Sequence, residues 1–282
     1  MLQDLPSGRL QNEFRSPVPK PEDTVVCFRE NQVILHRGSD DSLRLPTVEE
    51  LDMDAGNAWG EQHLQYIFRL QKRNFYLFPG EVEDFGEYTG EPVRTLRQLE
   101  SKDTCFAVMT AWHLYCWYRN NRFCGCCGST TRHDEKERML RCDNCGNMIF
   151  PKICPVVIIA VTDGDRLLLS KYAGRAYTRY ALLAGYTEIG ETLEQTVARE
   201  VMEEVGLKVK NLRYYKSQPW GADGNVLMGF FCDLDGDDTI HLDESELAMA
   251  DWYDRQNLPA RDDGISLTRE MIRIFSEGKE PR

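Results

Sequence analysis

The chain has 282 residues, with 34 Lys and Arg against 46 Asp and Glu, a net charge of −12 and ten cysteines. This length predicts about two domains and excludes a single small disulfide-rich module. The acidic balance argues against bulk binding of nucleic acid, although a local phosphate site built around a metal ion is compatible with it.

Apolar runs in the sequence are short. The longest extends from Val156 to Val161, whereas a bilayer-spanning helix needs about 18 apolar residues. The N-terminal stretch MLQDLPSGRL has no apolar region typical of an export signal. We therefore expect a cytoplasmic protein that has no membrane partner.

The first part of the chain, up to about residue 95, has an irregular pattern that favours a small α+β domain. Within it, TVVCFRENQVILHRG predicts two short strands on either side of Glu30 and Asn31. Residues 103–119 are apolar almost all round, which predicts a buried helix whose N-cap is Asp103. Its many aromatic side chains are expected to belong to a core.

Two closely spaced pairs of cysteines follow. Cys124-x-x-Cys127 and Cys142-x-x-Cys145 are separated by fourteen residues, the spacing of a structural zinc ribbon. Disulfides are the less favoured alternative, because most of the other cysteines are scattered and no export signal is present. Cys126 could replace Cys124 or Cys127, but only the pairing with two intervening residues matches the second pair.

The remainder of the chain predicts one α+β or α/β sandwich domain. Strands are expected over PVVIIAV (155–161), RLLLS (166–170) and ALLAG (181–185), with a turn at Asp163-Gly164-Asp165. Further strands are expected at 209–216, 226–232 and 249–253, and a closing helix from Ser266 to Ser276.

An acidic helix is predicted in the middle of this domain. Thr192-x-x-Gln195 is a capping-box start and Gly206 a suitable stop, which together bracket about thirteen residues. An apolar stripe with a spacing of four residues must face a core; it consists of Leu193, Val197, Val201 and Val205.

Three carboxylates border this stripe. Glu200 and Glu204 are four residues apart, and Glu203 lies one step further round the helix. Like charges at this spacing repel, and Arg199 can neutralise only part of them, so the cluster favours a bound cation. Oxygen ligands indicate Mg²⁺ or Mn²⁺ rather than zinc. Taken alone, REVMEE is more typical of a solvated acidic face.

The complete spacing of this segment carries more information. It meets every position of the Nudix box: Gly185-x5-Glu191-x7-Arg199-Glu200-Val201-x-Glu203-Glu204-x-Gly206-Leu207. The chain thus resembles the Nudix hydrolases, which cleave nucleoside diphosphates linked to another moiety. The resemblance implies an α/β/α sandwich in which the box forms a loop, helix, loop unit that holds divalent cations on its glutamates.

A narrower resemblance comes from the zinc ribbon upstream of the box and from Ser217-Gln218-Pro219-Trp220, ten residues after it. Both are similar to the NADH pyrophosphatase branch of the family. The fold class expected is therefore α/β (α+β), with three domains. These are an N-terminal α+β domain with a connecting helix (1–119), a four-cysteine zinc ribbon (120–150) and a Nudix domain (151–282).

The resemblance also implies roles for individual residues. The zinc ligands are Cys124, Cys127, Cys142 and Cys145. The catalytic residues are Glu200, Glu203 and Glu204; together with Glu246 and the carbonyl of Ala184 they hold Mg²⁺ or Mn²⁺. The substrate-binding residues are Arg94, Phe150, Tyr186, Ser217, Gln218, Pro219, Trp220 and Thr268.

The activity implied is metal-dependent hydrolysis of NAD(H) to NMN(H) and AMP by a homodimer with one structural zinc per chain. Removal of NAD caps from RNA 5′ ends is a related possibility. The branch normally continues Pro-Phe-Pro after the Trp, whereas this chain reads Gly221-Ala222-Asp223-Gly224-Asn225. This difference leaves open the preference for NADH, NAD⁺, ADP-ribose or another nucleoside diphosphate derivative. A non-catalytic nucleotide sensor is the alternative of another class, and Glu203 and Glu204 are both candidates for the general base.

Overall fold

The computed structural model describes residues 1–5, 8–40, 42–54, 64–94, 102–174, 178–260 and 262–281. Contacts divide the chain into two units. One contains Met1, Ile153–Trp220 and Asn225–Arg282, and the other contains Leu2–Lys152 together with the short segment Gly221–Gly224. Within the described ranges, no helix combines the length and apolar character needed to cross a bilayer.

The unit that contains Leu2–Lys152 begins with a six-stranded sheet. Its strands are β1 (Thr24–Arg29), β2 (Gln32–Arg37), β3 (Leu43–Arg44), β4 (Gln65–Leu70), β5 (Arg73–Glu81) and β6 (Thr89–Pro92). The order is β3-β2-β1-β5-β4 with β6 beside β2, and β1 and β5 are parallel. The two strands predicted around Glu30 and Asn31 are confirmed as β1 and β2, and Glu30 turns the chain between them with φ of +51°.

Two helices accompany this sheet, α1 (Val48–Asp54) and α2 (Lys102–Asn120). Helix α2 confirms the predicted buried helix, and its rings do form core. The ring centroids of Trp112 and Tyr115 lie 5.2 and 4.9 Å from that of Phe28 on β1. The predicted N-cap is wrong, because the helix already includes Lys102, which places Asp103 inside its first turn.

The cysteine-rich segment forms a small antiparallel sheet of three two-residue strands. These are β7 (Arg132–His133), β8 (Leu140–Arg141) and β9 (Met148–Ile149), in the order β7-β8-β9. Such short strands bury little apolar surface, so the segment depends on another source of stability.

The second unit is built on a mixed sheet. Its strands are β10 (Cys154–Asp163), β11 (Arg166–Tyr172), β12 (Leu183–Tyr186), β13 (Val209–Trp220), β14 (Asn225–Leu234) and β15 (Leu247–Asp254). The order is β13-β14-β10-β11-β15, with β12 beside β10 and with β10 and β14 parallel. The predicted strands are all present, and β13 extends to Trp220, so the SQPW segment is itself part of the sheet.

Helices α3 (Leu193–Val205) and α4 (Leu267–Ser276) cover opposite faces of this sheet. Alternate residues of β10 face them, because successive side chains of a strand point to opposite sides. Val157, Ile159 and Val161 pack with Val197, Val201 and Val205 of α3, whereas Val156, Ile158 and Ala160 pack with residues of α4. Each fully buried valine of α3 contributes about 1.5–3 kcal/mol. The predicted α/β/α sandwich is confirmed.

Candidate metal and substrate sites

The four predicted zinc ligands converge. Their four Sγ atoms all lie within 4.8 Å of one another; the residues are Cys124, Cys127, Cys142 and Cys145. The Sγ atoms of Cys124 and Cys145 are 3.6 Å apart, and those of Cys127 and Cys142 are 3.5 Å apart. Tetrahedral zinc at about 2.3 Å from each sulfur places the sulfurs roughly 3.8 Å apart, so the cluster fits this ion.

The two knuckles have the same backbone geometry. The N–H of Gly128 donates to the carbonyl of Cys124 at 2.8 Å, and that of Gly146 to the carbonyl of Cys142 at 2.9 Å. Both glycines have φ of +75°, which other residues rarely adopt. Cys126 lies outside the sulfur cluster and is exposed, and its backbone N–H donates to Cys124 Sγ at 3.4 Å.

Mutual contacts and nearby hydrogen bonds shift the pKa values of these thiols in opposite directions. Hydrogen bonds from the side chain of Asn144 and from the backbone of Ser129 lower the pKa of Cys127 to about 5. At Cys145 the backbone N–H of Asn147 lowers the pKa, but the contacts with the other three cysteines outweigh it and raise the pKa to about 12. Four thiolates cannot share this small volume without a positive ion, which zinc provides.

The second candidate site is built on α3, whose ends are fixed as predicted. Thr192 Oγ1 accepts from the N–H of Gln195 at 3.3 Å, and Gln195 Oε1 accepts from the N–H of Thr192 at 2.8 Å. At the other end Gly206 adopts φ of +68° and its N–H donates to the carbonyl of Met202. These caps set the rotation of the helix, so that Glu200 and Glu204 are both buried, at 8% and 2% exposure.

Glycine at position 185 makes room for the first of these carboxylates. Strand β12 places Gly185 opposite Val157 of β10 and next to α3. A Cβ atom at Gly185 would lie 1.8 Å from Cδ of Glu200 and 2.0–2.2 Å from its oxygens. The Glu200 carboxylate therefore occupies the space that the side chain of any other residue at position 185 would fill.

Arg199 connects the glutamates of the box. Its Nη1 donates to Glu200 Oε1 at 2.8 Å and to Glu203 Oε2 at 2.7 Å. Its Nε and Nη2 donate to the two oxygens of Glu191 at 2.7 and 3.1 Å, and Nη2 also donates to the carbonyl of Tyr186 at 2.9 Å. These bonds from Arg199 are the main reason that the pKa of Glu191 falls to about 2. Arg199 thus orients the carboxylates of Glu191, Glu200 and Glu203.

Glu246 is brought to the same region by the chain that follows β14. The N–H groups of His241 and Asp243 donate to the carbonyls of Val205 and Glu204 at the end of α3, at 2.9 and 3.0 Å. Three residues later, Glu246 is close enough for its charge to influence Glu200. Burial raises the pKa of Glu200 above its usual range, bonds from Arg199 oppose the rise, and the charges of Glu203 and Glu246 add to it.

The donor set on α3 fits a hard divalent cation. Arg199 brings one positive charge to three glutamates, so the cluster retains an excess of negative charge in a partly buried place. All the candidate donors are oxygens, which Mg²⁺ and Mn²⁺ prefer. Within the described residues, the compact four-ligand arrangement is found for the cysteines and not for these glutamates, whose carboxylates are more widely spaced.

Several predicted substrate residues lie in the sandwich unit. Tyr186 is half exposed at the end of β12, and its hydroxyl lies 3.2 Å from Nδ2 of Asn225. Ser217 and Pro219 are exposed on β13, and Thr268 is partly buried in the first turn of α4. The contact with Asn225 was not predicted, although Asn225 is the last residue of the altered segment that follows Trp220.

Two members of the SQPW segment are held by the protein itself. Gln218 is fully buried, with Nε2 donating to the carbonyl of Ile265 at 2.8 Å and Oε1 accepting from the N–H of Leu267 at 2.7 Å. Its amide therefore anchors the start of α4 to the sheet. Trp220 is partly buried against the core on the α4 side.

The other predicted substrate residues lie in the unit that contains the ribbon. Phe150 presents a half-exposed ring after β9. Arg94 is exposed, and its Nη2 donates to Asp223 Oδ1 at 2.7 Å. Asp223 belongs to the turn that replaces Pro-Phe-Pro, and Gly221 of the same turn approaches α2 so closely that a Cβ would lie 2.3 Å from the Met109 carbonyl oxygen. The turn is thus fixed by specific contacts.

Comparison with known proteins agrees with this geometry. The family described as NUDIX domain matches residues 152–274, and that described as NADH pyrophosphatase zinc ribbon domain matches residues 119–150. The NAD-capped RNA hydrolase NudC of Klebsiella pneumoniae (strain 342) is 37% identical over 213 residues, which cover 71% of this chain and 82% of that protein.

A second relative and a solved structure extend the comparison. The protein of the same name from Enterobacter sp. (strain 638) is 41% identical over 156 residues, which cover 55% of this chain and 60% of that protein. A NUDIX hydrolase structure from Nitrosomonas europaea has a TM-score of 0.47 at 24% identity, covering 55% of this chain and 91% of that one. Since both the zinc ribbon and the Nudix domain are matched, and a relative above 30% identity is covered over most of its length, the chain belongs to the Nudix hydrolases that carry an NADH pyrophosphatase zinc ribbon.

Proposed function

We propose that this protein hydrolyses the pyrophosphate bond of NAD(H) to NMN(H) and AMP, and that it acts on the same bond in NAD-capped RNA. The observation that supports this most directly is the pairing of the buried Glu200 and Glu204 on α3 with a zinc ribbon in one chain. Two relatives that are 37% and 41% identical to this chain over the matched residues are called NAD-capped RNA hydrolase NudC.

In the proposed reaction, a water oxygen bonds to one phosphorus while the bridging P–O bond breaks and the bridging oxygen leaves with the other nucleotide. Glu200, Glu203, Glu204, Glu246 and the carbonyl of Ala184 would hold the divalent cation. When bound, Mg²⁺ or Mn²⁺ would lower the pKa of the attacking water and neutralise the negative charge of the leaving phosphate.

The side chains of the box have distinct roles in this proposal. Glu203 or Glu204 accepts the proton that the water loses. Glu203 is on the exposed rim of α3, where water has access, whereas Glu204 is buried beneath it. Arg199 restrains Glu200 and Glu203 through hydrogen bonds from Nη1. Their carboxylates therefore lose less conformational freedom when a substrate binds. The rings of Tyr186 and Phe150 would each offer a face for a base.

The experiment that tests the proposal is a substrate comparison with product identification. NADH, NAD⁺, ADP-ribose and an NAD-capped RNA are incubated with the full chain and Mg²⁺ or Mn²⁺, and kcat/KM is measured for each. We expect NMN(H) and AMP from the dinucleotides and a 5′-monophosphate RNA from the capped substrate. A higher kcat/KM for ADP-ribose would move the assignment to that substrate, and no cleavage of any substrate would favour the nucleotide sensor.

The same proposal includes a cytoplasmic location and, as the family resemblance implies, a homodimer with one structural zinc per chain. The four-sulfur cluster supports the zinc stoichiometry. Light scattering of the purified protein measures the oligomeric state, and a monomer mass would remove the dimer from the proposal.

A further inference from the structure

A second concentration of charge lies far along the chain from the Nudix box, in the N-terminal sheet. A cavity of about 300 Å³ opens between the segment 15–23 and the hairpin formed by β4 and β5. Five cationic residues line it: Arg15, Lys20, Arg69, Lys72 and Arg73. In a chain with a net charge of −12, such a local excess of positive charge needs an explanation.

Side chains in the described ranges of the chain do not neutralise these cations. Within the described part of the chain, none of the five forms an ion pair with a carboxylate. Elsewhere, arginines are commonly paired; Arg29 contacts Glu83 and Asp84 at 2.9 Å. The positive charge of the cavity is therefore available to a ligand.

Two acidic residues also line the cavity, and the carboxylate of one of them already accepts hydrogen bonds from the protein. Asp23 is 3% exposed, and its oxygens accept from the N–H of Lys20 at 3.0 Å and from the N–H and Nδ2 of Asn74 at 3.1 and 3.3 Å. Its charge is thus satisfied by fixed N–H dipoles and not by the surrounding cations. Glu22 is exposed at the margin, which leaves an excess of cations around the cavity.

The walls of the cavity are held by hydrogen bonds. The backbones of Gln11 and Arg69 exchange bonds of 2.9 and 2.7 Å, and the hydroxyl of Tyr76 donates to the carbonyl of Pro17 at 3.1 Å. Tyr66 also lines the cavity and is buried; burial raises the pKa of its hydroxyl, and the nearby Arg15 opposes that rise. The cationic side chains consequently surround a preformed concave surface.

We propose that this cavity binds the phosphodiester backbone of single-stranded RNA, so that the N-terminal domain contributes to binding of the RNA part of the substrate. The inference rests on the proposed function, which supplies RNA as the substrate. Five cations on two separate segments exceed what one phosphate group requires, and long flexible Lys and Arg side chains suit a backbone that carries one charge per nucleotide. The site would be insensitive to base sequence, since no base-reading group is required.

The test measures binding of a fluorescent, uncapped RNA of about 12 nucleotides to the full chain by anisotropy across a salt series. In the double variant Arg15→Gln/Arg73→Gln, two phosphate contacts are lost. Each contact to a single strand contributes about 0.7 to the slope of log K against log salt, so the slope should fall by about 1.4 and the affinity roughly 25-fold at about 0.1 M salt. The matched control is Lys136→Gln/Lys208→Gln, which removes the same charge at two exposed positions outside the cavity and should weaken binding far less.

NADH hydrolysis is measured on the same samples and should be equal in all three proteins, which separates this proposal from the activity. An equal loss of RNA affinity in both double variants would refute RNA binding at the cavity, whatever the result with NADH. Displacement of the RNA by inorganic phosphate at the same total phosphate concentration would also overturn it, since the cavity would then be a small-anion site. Absence of NADH hydrolysis, with RNA binding still dependent on Arg15 and Arg73, would reject the proposed function and support the RNA site.

Discussion

The position of Gly185 allows a sharp test of the metal-binding assignment. In Gly185→Ala, the added methyl group would lie 1.8 Å from Cδ of Glu200. Non-bonded carbon atoms settle about 3.5–4.0 Å apart, so the carboxylate must move by about 1.7 Å or more. The hydrogen bond of 2.8 Å from Arg199 to Glu200 would break with it.

The expected result is a large loss of activity with little loss of stability. A displacement of about 1 Å in a catalytic group can cost about 100-fold in rate, which corresponds to about 2.7 kcal/mol of transition-state stabilisation. Stability should change by no more than about 1 kcal/mol, because the end of a glutamate side chain can move and the φ of Gly185 is not in the positive region.

The assay measures kcat with NADH at saturating Mn²⁺, the affinity for Mn²⁺ by titration, and the Tm. The control is Gly125→Ala, where a Cβ would meet nothing within 4 Å. A Gly185→Ala protein with wild-type kcat and Mn²⁺ affinity would refute the placement of Glu200 in the metal site. A large fall in Tm would instead show that the methyl group disturbs the packing of β12 on α3.

Three further predictions concern individual side chains. Glu204→Gln should remove most of the turnover and leave the Tm nearly unchanged, because it subtracts one metal ligand at constant volume; near-normal kcat would contradict the role of Glu204. Cys142→Ser should lose the bound zinc and lower the Tm, whereas Cys126→Ser should retain one zinc per chain by elemental analysis, since Cys126 lies outside the sulfur cluster; equal zinc contents would contradict the ligand assignment. Burial alone would raise the pKa of Glu50, but bonds from Thr47, Arg44 and Tyr88 lower it from 4.5 to about 2. Its stabilising contribution is therefore complete above about pH 4.5 and is lost as the pH falls towards 2, so Glu50→Gln should destabilise the protein by about 1–3 kcal/mol at pH 7 and much less at pH 3; a difference independent of pH would contradict this.

Much of the fold could be predicted from local sequence patterns, because helix caps and metal knuckles depend on residues that are only a few positions apart. The capping box at Thr192, the glycine stop at Gly206 and the valine stripe between them defined α3 to the residue. The two cysteine pairs likewise fixed the ribbon, since a metal site with four sulfurs depends mainly on short spacings. The start of α2 was placed wrongly because Asp103 fits a cap as well as it fits the first turn of a helix that begins one residue earlier.

Other features depend on residues that are distant in the sequence. Gln218 looked like part of a substrate motif, but its amide is used by the backbone at Ile265 and Leu267, 47 and 49 residues away. Arg94 likewise meets Asp223, 129 residues later. The burial of such side chains and their hydrogen-bond partners depend on how strands and helices pack, so they cannot be predicted from the spacing of neighbouring residues.

By itself, the sequence determined the zinc ribbon, the Nudix box, the α/β/α class and the family, because each rests on short spacings between residues that must share one ligand or one helix face. Only the tertiary structure decided that the Glu200 carboxylate fills the space beside Gly185, that Arg199 links three glutamates, and that five cations surround one cavity in an acidic chain. The physical reason is that charge and close packing act through space: the net charge of −12 is a sum over the chain, whereas the binding of an anion depends on where the uncompensated cations meet.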